Sequence, residues 1–287
     1  MASKRPILIL GGTGLLGGAL VRSLGSTDRA FSAPDRGQLD LMRCADLEQR
    51  IEALEPIAVI NAAAFSDVTA AELPRNHDAA FRLNHHVPDR LAKLHRRLGV
   101  PLVHVSTDYV FDGTQRRPYV EDAPTGPLQV YGRSKLEGEK AVLEGCDTAL
   151  VVRTSTLFGP GGRARPNYVD AIAAQARAHD RLHVVRTPVA SPTFAPDLAD
   201  AVLRLLDLGA WGLVHVVNQG QCSRLELARE TVRLAGLADR VEVDERPQPA
   251  ADLARPAYSA LDTSRYRELT GQRLRPWVEA LAEHLVA

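Results

Sequence analysis

The chain reads as an α/β protein: a Rossmann-type doubly wound parallel sheet with a smaller C-terminal substrate-binding lobe. Three observations carry this expectation. Short β-rich runs alternate with longer stretches of helical periodicity through the first half. Those strand runs are apolar throughout rather than alternating, as a sheet covered on both faces requires. A glycine-rich turn, GGTGLLGG, follows the first run and leads directly into a helical one.

The elements follow in order. The strand PILILG (6–11) is succeeded by the helical run LLGGALVRSL, and a second strand should end near Ala33. The helical run DLEQRIEALE precedes the strand IAVINAA (57–63), and AFRLNHHVPDRLAKLHRRLG precedes PLVHVST (101–107). SKLEGEKAVLEG belongs to a helix from near Leu128 to Glu144, ending at Gly145, before the strand ALVVRTS (149–155). Pro56 and Pro101 each open a strand just after a helical run, where proline is tolerated. Residues 1–155 are thus expected to form a dinucleotide-binding domain. Residues 156–287 form mainly a substrate-binding lobe, with segments at about 190–220 returning to the first domain. FGPGGRARPN (158–167), RTPVASPTFAPDLAD (186–200) and ERPQPAADLARPAYSALDTSRY read as irregular, and GLVHVVNQG (212–220) as a further buried strand ending in a turn.

Composition narrows the functional classes. Formal net charge is zero, so no global field favours nucleic acid or an anionic membrane. No run of ~18 apolar residues suggests a membrane span. Cys44, Cys146 and Cys222 are far apart and form no CxxC, which argues against a disulfide framework or a metal site and suits a reducing compartment. The basic start and apolar run at the N-terminus imitate a signal peptide, but glycines break the run and no clean cleavage site follows. The expected location is cytoplasmic.

The glycine turn satisfies GxxGxxG through Gly11, Gly14 and Gly17, and GxGxxG through Gly12, Gly14 and Gly17. Glycine permits a tight turn and close approach of backbone to a pyrophosphate, which a helix N-terminus then holds with free N–H groups. At the end of the second strand stand Asp35 and Arg36. An acid suits the ribose 2′-OH of NAD and an arginine the 2′-phosphate of NADP, so the cofactor is NADPH or NADH without a choice between them.

The segment YGRSKLEGEK (131–140) holds two of only four lysines in a chain with 31 arginines. Tyr131 and Lys135 are four apart and share a helix face. Reaching phenolate at neutral pH costs ~4 kcal/mol from an ordinary tyrosine, and a nearby ammonium is expected to lower that. Lysine is also a compact donor to a ribose hydroxyl, where arginine is a broad fork. VSTDYVFDG (105–113) ends the strand PLVHVST at the carboxyl edge, where ligands bind in such sheets. Ser106 and Thr107 alternate across it, so one hydroxyl faces the site, where it could stabilise charge on a carbonyl oxygen.

Taken with VINAAAFSDVTAAE (59–72), LNHHVPDRLA (83–92), RTSTLFG (153–159), SPTFAPDLA (191–199) and RPAYSALD (255–262), the chain resembles the dTDP-4-dehydrorhamnose reductase family of extended short-chain dehydrogenases/reductases. The resemblance implies an NAD(P)H-dependent enzyme that reduces the 4-keto group of a nucleotide-linked 4-keto-6-deoxyhexose. It implies Thr107, Tyr131 and Lys135 as the catalytic set, with Tyr131 donating the proton, Lys135 holding the nicotinamide ribose and Thr107 meeting the keto oxygen. Gly11, Thr13, Gly14, Leu15, Leu16 and Gly17 would lie at the pyrophosphate, Asp35, Arg36, Asp40 and Leu41 near the adenosine, and Ala62, Ala63 and Ala64 along the cofactor. Thr107, Asp108, Tyr131, Thr156, Asn167 and Arg255 would meet substrate, the last two at its diphosphate. A nucleotide-sugar substrate is implied, with no metal, and a homodimer is compatible with it.

Related dTDP-sugar 4,6-dehydratases carry Asp-Glu after the threonine, whereas here Asp108 is followed by Tyr109, which favours net reduction. Two departures concern the sugar: Thr156 stands where the family usually has tryptophan, and Val189, Ala190 and Ser191 stand where it has a glutamine–glycine turn. The alternative is a non-catalytic dinucleotide-binding regulator, resembling the β subunit of methionine adenosyltransferase.

Overall fold

A computed structural model describes residues 5–162, 166–247 and 253–286. Six parallel strands form the central sheet: β1 (Ile7–Leu10), β2 (Phe31–Ser32), β3 (Ala58–Asn61), β4 (Leu102–Thr107), β5 (Ala149–Thr154) and β10 (Gly212–His215). Their spatial order is β10-β5-β4-β3-β1-β2. The order therefore reverses between β1 and β3, and a crevice opens there at the strands' carboxyl ends.

Helices cover both faces, because strands such as β1 and β3 are buried along their whole length. On one face lie α1 (Leu15–Gly25) and α8 (Ala195–Asp207), packed on Ile7, Ile9, Val103 and Val152. On the other lie α2 (Leu47–Ala53), α5 (Val87–Leu98) and α6 (Val130–Gly145), packed on Leu8, Leu10, Val59 and Val151. Alternate residues of one strand thus enter two separate apolar clusters, as the period of two demands.

The remaining strands pair in twos: β6 (Leu157–Phe158) with β9 (Thr193–Phe194), β7 (Arg181–Val184) with β12 (Glu242–Glu245), and β8 (Val189–Ala190) with β11 (Cys222–Ser223). With α7 (Tyr168–Ala178), α9 (Arg224–Leu234) and α11 (Trp277–Val286) they build two further apolar clusters. Short helices α3 (Val68–Ala71), α4 (Pro74–Phe81) and α10 (Ser264–Thr270) and a 3-10 turn at Asp108–Val110 are also present. No helix among the described residues is long and apolar enough to cross a membrane.

Two expectations change. The long helical run from Ala80 is interrupted by a π turn at Arg82–His86, after which α5 begins with Pro88 in its first turn. The crowding of Asn84 against α6 gives the reason: a Cβ on Gly138 would fall 2.0 Å from the Asn84 carbonyl oxygen. The segment 212–220 is a strand only to His215, beyond which Asn218 and Gln219 hydrogen-bond to the chain before α11. Parts of the irregular segments expected around 158–167 and beyond 241, namely residues 163–165 and 248–252, lie outside the described residues.

Candidate active site

The glycine turn lies on the crevice. Gly11 has φ +84°, and a Cβ there would sit 2.7 Å from the Ala63 amide nitrogen, just beyond β3. A Cβ on Gly17 would sit 2.1 Å from the Gly11 carbonyl oxygen. Both positions need glycine because helix, turn and neighbouring strand are in backbone contact. Gly14 is the N-cap of α1, with no side-chain cap and no acid in the first turn. The helix therefore offers free N–H groups and a positive end to an anion. Thr13 and Gly14 are exposed and Leu15 is half-buried, while the Leu16 side chain is buried in the core, leaving only its backbone to face a ligand. Ala62, Ala63 and Ala64 are half-buried across the crevice. These features fit a dinucleotide pyrophosphate.

Beyond β2, one Asp35 carboxylate oxygen accepts from the amides of Gly37 and Gln38, at 2.9 and 3.0 Å, and shapes the turn. Arg36 is exposed and pairs with Asp40 at 3.3 Å, and Asp40 also accepts from the Met42 amide. Leu41 packs against the core beside them. Acid and base both remain at the expected ribose position.

Tyr131 opens the first turn of α6 and Lys135 follows one turn later. Lys135 is buried, and its Nζ donates to the Val105 carbonyl at 2.6 Å. Burial lowers its pKa to about 8, partly opposed by Glu139. The Tyr131 phenol is pushed up by burial, with a Thr107 hydrogen bond acting against it and Asp108 and Tyr109 adding to it. The expected lowering of the phenol by Lys135 is thus corrected. The ammonium is drawn toward the sheet carbonyl, and desolvation dominates at the phenol.

Thr107 ends β4, where its hydroxyl donates to Asp108 Oδ1 at 3.1 Å and accepts from the Tyr109 amide at 3.2 Å. Ser106 points elsewhere, its buried hydroxyl unpartnered among the described residues. Asp108 is buried, and its other oxygen accepts from Ser155 and Ser259, at 2.9 and 2.5 Å. Burial raises this carboxyl to about 6, and the hydroxyl partners pull the other way. Asp108 is therefore held by the protein's own hydroxyls rather than presented openly to substrate. Tyr109 stands edge-on to Tyr131, with centroids 6.0 Å apart. Arg224 and Arg255 both act on the Tyr109 phenol electrostatically, and Arg224 also lies over the Tyr168 ring at 4.8 Å. The buried Arg255 Nε has no partner among the described residues.

Two other substrate-site expectations meet different outcomes. Asn167 caps α7, accepting from the Asp170 amide and donating to Gly159 and Asp170 oxygens. Its polar atoms serve the helix N-terminus. Thr156, at φ +41°, is half-buried in the turn between β5 and β6, next to Ser155. No group of three or more potential metal ligands occurs among the described residues.

Sequence reasoning passed over several residues that the fold brings here. Asn84 joins Ser134 and Phe65, and Asn61 and His104 lie beneath Lys135. A polar residue inside the apolar runs IAVINAA and PLVHVST was the available signal for Asn61 and His104. Asn84 and Ser259 lay inside the motifs LNHHVPDRLA and RPAYSALD without a role. Arg224 carried no local signal.

A glycine turn at a topological switch point, beside a tyrosine and lysine one helical turn apart, defines a dinucleotide-binding protein of the extended short-chain dehydrogenase/reductase class. A family model described as RmlD substrate binding domain matches residues 4–287, and the chain belongs to that dTDP-4-dehydrorhamnose reductase family. The dTDP-4-dehydrorhamnose reductase of Streptomyces griseus is 40% identical, across 98% of this chain and 93% of that protein. A probable dTDP-4,6-dihydroxy-2-methyloxan-3-one 4-ketoreductase of Streptomyces antibioticus is 38% identical, across 96% and 93%. The crystal structure of dTDP-4-dehydrorhamnose reductase from Bacillus anthracis, in complex with NADP, superposes with a TM-score of 0.92 at 29% identity, covering 99% of both chains.

Proposed function

We propose that the protein is an NADPH- or NADH-dependent reductase of the 4-keto group of a dTDP-linked 4-keto-6-deoxyhexose. The observation that carries this reading is the placement of Thr107, Tyr131 and Lys135 at the carboxyl end of β4, beside the glycine turn. The relatives named above are reductases of such sugars, one with NADP bound, and lend nothing to a regulatory role.

The coenzyme, when bound, supplies hydride to the carbonyl carbon. Tyr131 then gives its phenolic proton to the carbonyl oxygen, where negative charge develops. Burial keeps that phenol protonated until the proton is needed. The Lys135 ammonium directs donors to the ribose. Thr107 has one hydrogen bond to donate, and an ionised Asp108 accepts it. A protonated Asp108 frees that hydrogen bond for the keto oxygen. Arg224 and Arg255, flanking Tyr109, supply positive charge for the substrate diphosphate. We further propose that residues 156–287 form mainly the substrate lobe and that the enzyme works in the cytoplasm.

The test follows absorbance of NADPH during incubation with freshly generated dTDP-4-dehydrorhamnose and its C4-keto analogues. Steady oxidation is expected in the wild type, and Tyr131→Phe should lose at least ~100-fold in rate, the usual worth of a positioned general acid. Cofactor binding without turnover on any such sugar would refute the proposal.

A further inference from the structure

Beneath the catalytic lysine runs a buried chain of polar contacts that the proposed chemistry does not use. The Ala63 amide donates to Asn61 Oδ1 at 3.2 Å. Asn61 Nδ2 lies 3.2 Å from His104 Nδ1, and His104 Nε2 lies 3.4 Å from Lys135 Nζ. Asn61, His104 and Lys135 are each about 1% exposed. A backbone N–H can only donate, so Asn61 must turn its oxygen to Ala63 and its NH2 to His104. The His104 Nδ1 must then accept, which in a neutral ring puts the proton on Nε2.

We propose that Asn61 and His104 are positioning residues for Lys135, holding the imidazole as its Nε2–H tautomer so that it cannot accept a proton from the lysine. The ammonium then finds one acceptor on the sheet side, the Val105 carbonyl, and its other protons are directed toward the cleft. The same arrangement disfavours the charged lysine, since two donors face each other across 3.4 Å. Burial and Lys135 together keep His104 neutral, well below its ordinary pKa, in agreement with this.

Other titratable or charged groups act on Lys135 or stand on the elements packed around α6. Glu139, one turn on, favours the ammonium but is paired with Arg153 of β5 at 2.7 Å. Tyr131 lies one turn back, and Asp108 and Tyr109 stand in the turn after β4. The π turn before α5 carries His85 and His86, α5 carries Asp89 and Lys93, and Glu72 beyond α3 accepts from the Val130 amide. None of these contacts His104 Nδ1, which Asn61 alone addresses among the described residues.

The proposal rests on the reductase reading for its consequence, but its tests do not need turnover. Long-range proton–nitrogen spectra of the wild type, with His104 assigned by its loss in His104→Gln, should show the neutral Nε2–H form. Finding Nδ1–H in the wild type would overturn the proposal. Asn61→Asp replaces the amide donor with an acceptor, so His104 should invert to Nδ1–H and turn a lone pair to Lys135. The upper apparent pKa for NADPH binding, read by fluorescence, should then rise by about one unit, a tenfold shift in proton affinity. A folded Asn61→Asp that keeps the Nε2–H tautomer, or binds NADPH with an unshifted pH profile, would refute it. If no 4-keto sugar is turned over while both shifts occur, the function fails and the positioning stands.

Discussion

Ser259 donates its hydroxyl proton to Asp108 at 2.5 Å, joining positions 151 residues apart in the chain. The contact ties the segment after residue 253 to the end of β4, and Ser155 holds the same oxygen from the end of β5. Three hydroxyls surround a carboxyl that burial raises to about 6. This acid binds its proton more tightly when folded than when unfolded. Its contribution therefore favours folding at low pH and is lost as pH rises from about 4 to about 6. A shift of about two units corresponds to about 3 kcal/mol. The difference in unfolding free energy between Asp108→Asn and wild type should grow by about that amount from pH 4 to pH 7, measured by urea titration. A constant difference across that range would contradict the assignment.

Lys135→Arg retains the charge but places a planar fork in a buried slot whose acceptor is a single carbonyl at 2.6 Å. Catalytic efficiency should fall by more than about tenfold, some 1.4 kcal/mol of transition-state stabilisation. Steady-state kinetics reads this directly, and wild-type rates would show that the lysine has no special geometry to satisfy.

The Arg153–Glu139 pair is buried on both sides, and Arg153 also donates to the Glu121 carbonyl and lies over the Phe111 ring at 5.0 Å. Glu139→Gln removes the negative partner and leaves a buried guanidinium uncompensated. Stability should drop by about 3–5 kcal/mol. Chemical denaturation checks the loss, and an apolar double replacement of both residues should recover much of it.

Thr156 adopts φ +41°, a left-handed conformation that a β-branched residue enters only under strain. Thr156→Gly should raise the unfolding free energy by about 1 kcal/mol, because relief of strain exceeds the entropy lost on fixing glycine. A thermal melt showing destabilisation would mean that the threonine's packing outweighs the strain.

Much of the candidate site was legible because it is local. Tyr131 and Lys135 share a helix by their spacing, and Gly11, Gly14 and Gly17 mark a turn whose position after β1 specifies its use. The effect of Lys135 on the phenol does not follow from the same spacing. Proximity along a helix does not say which acceptor an ammonium will choose, and Val105 lies on a strand 30 residues away. Asn167 was ambiguous for a related reason: an asparagine before a helix is as good a cap as a ligand, and only the fold shows the cap.

By itself the amino-acid order determined the parallel sheet, the glycine turn after its first strand and the pairing of Tyr131 with Lys135 on one helix, because apolar periodicity and residue spacing act over a few residues. Tertiary structure alone decided what surrounds those side chains. Asp108 receives Ser155 and Ser259, Lys135 rests between Val105 and His104, and Arg224 arrives beside Tyr109. Desolvation and hydrogen-bond direction, which set proton affinities, depend on groups that meet only when the chain has folded.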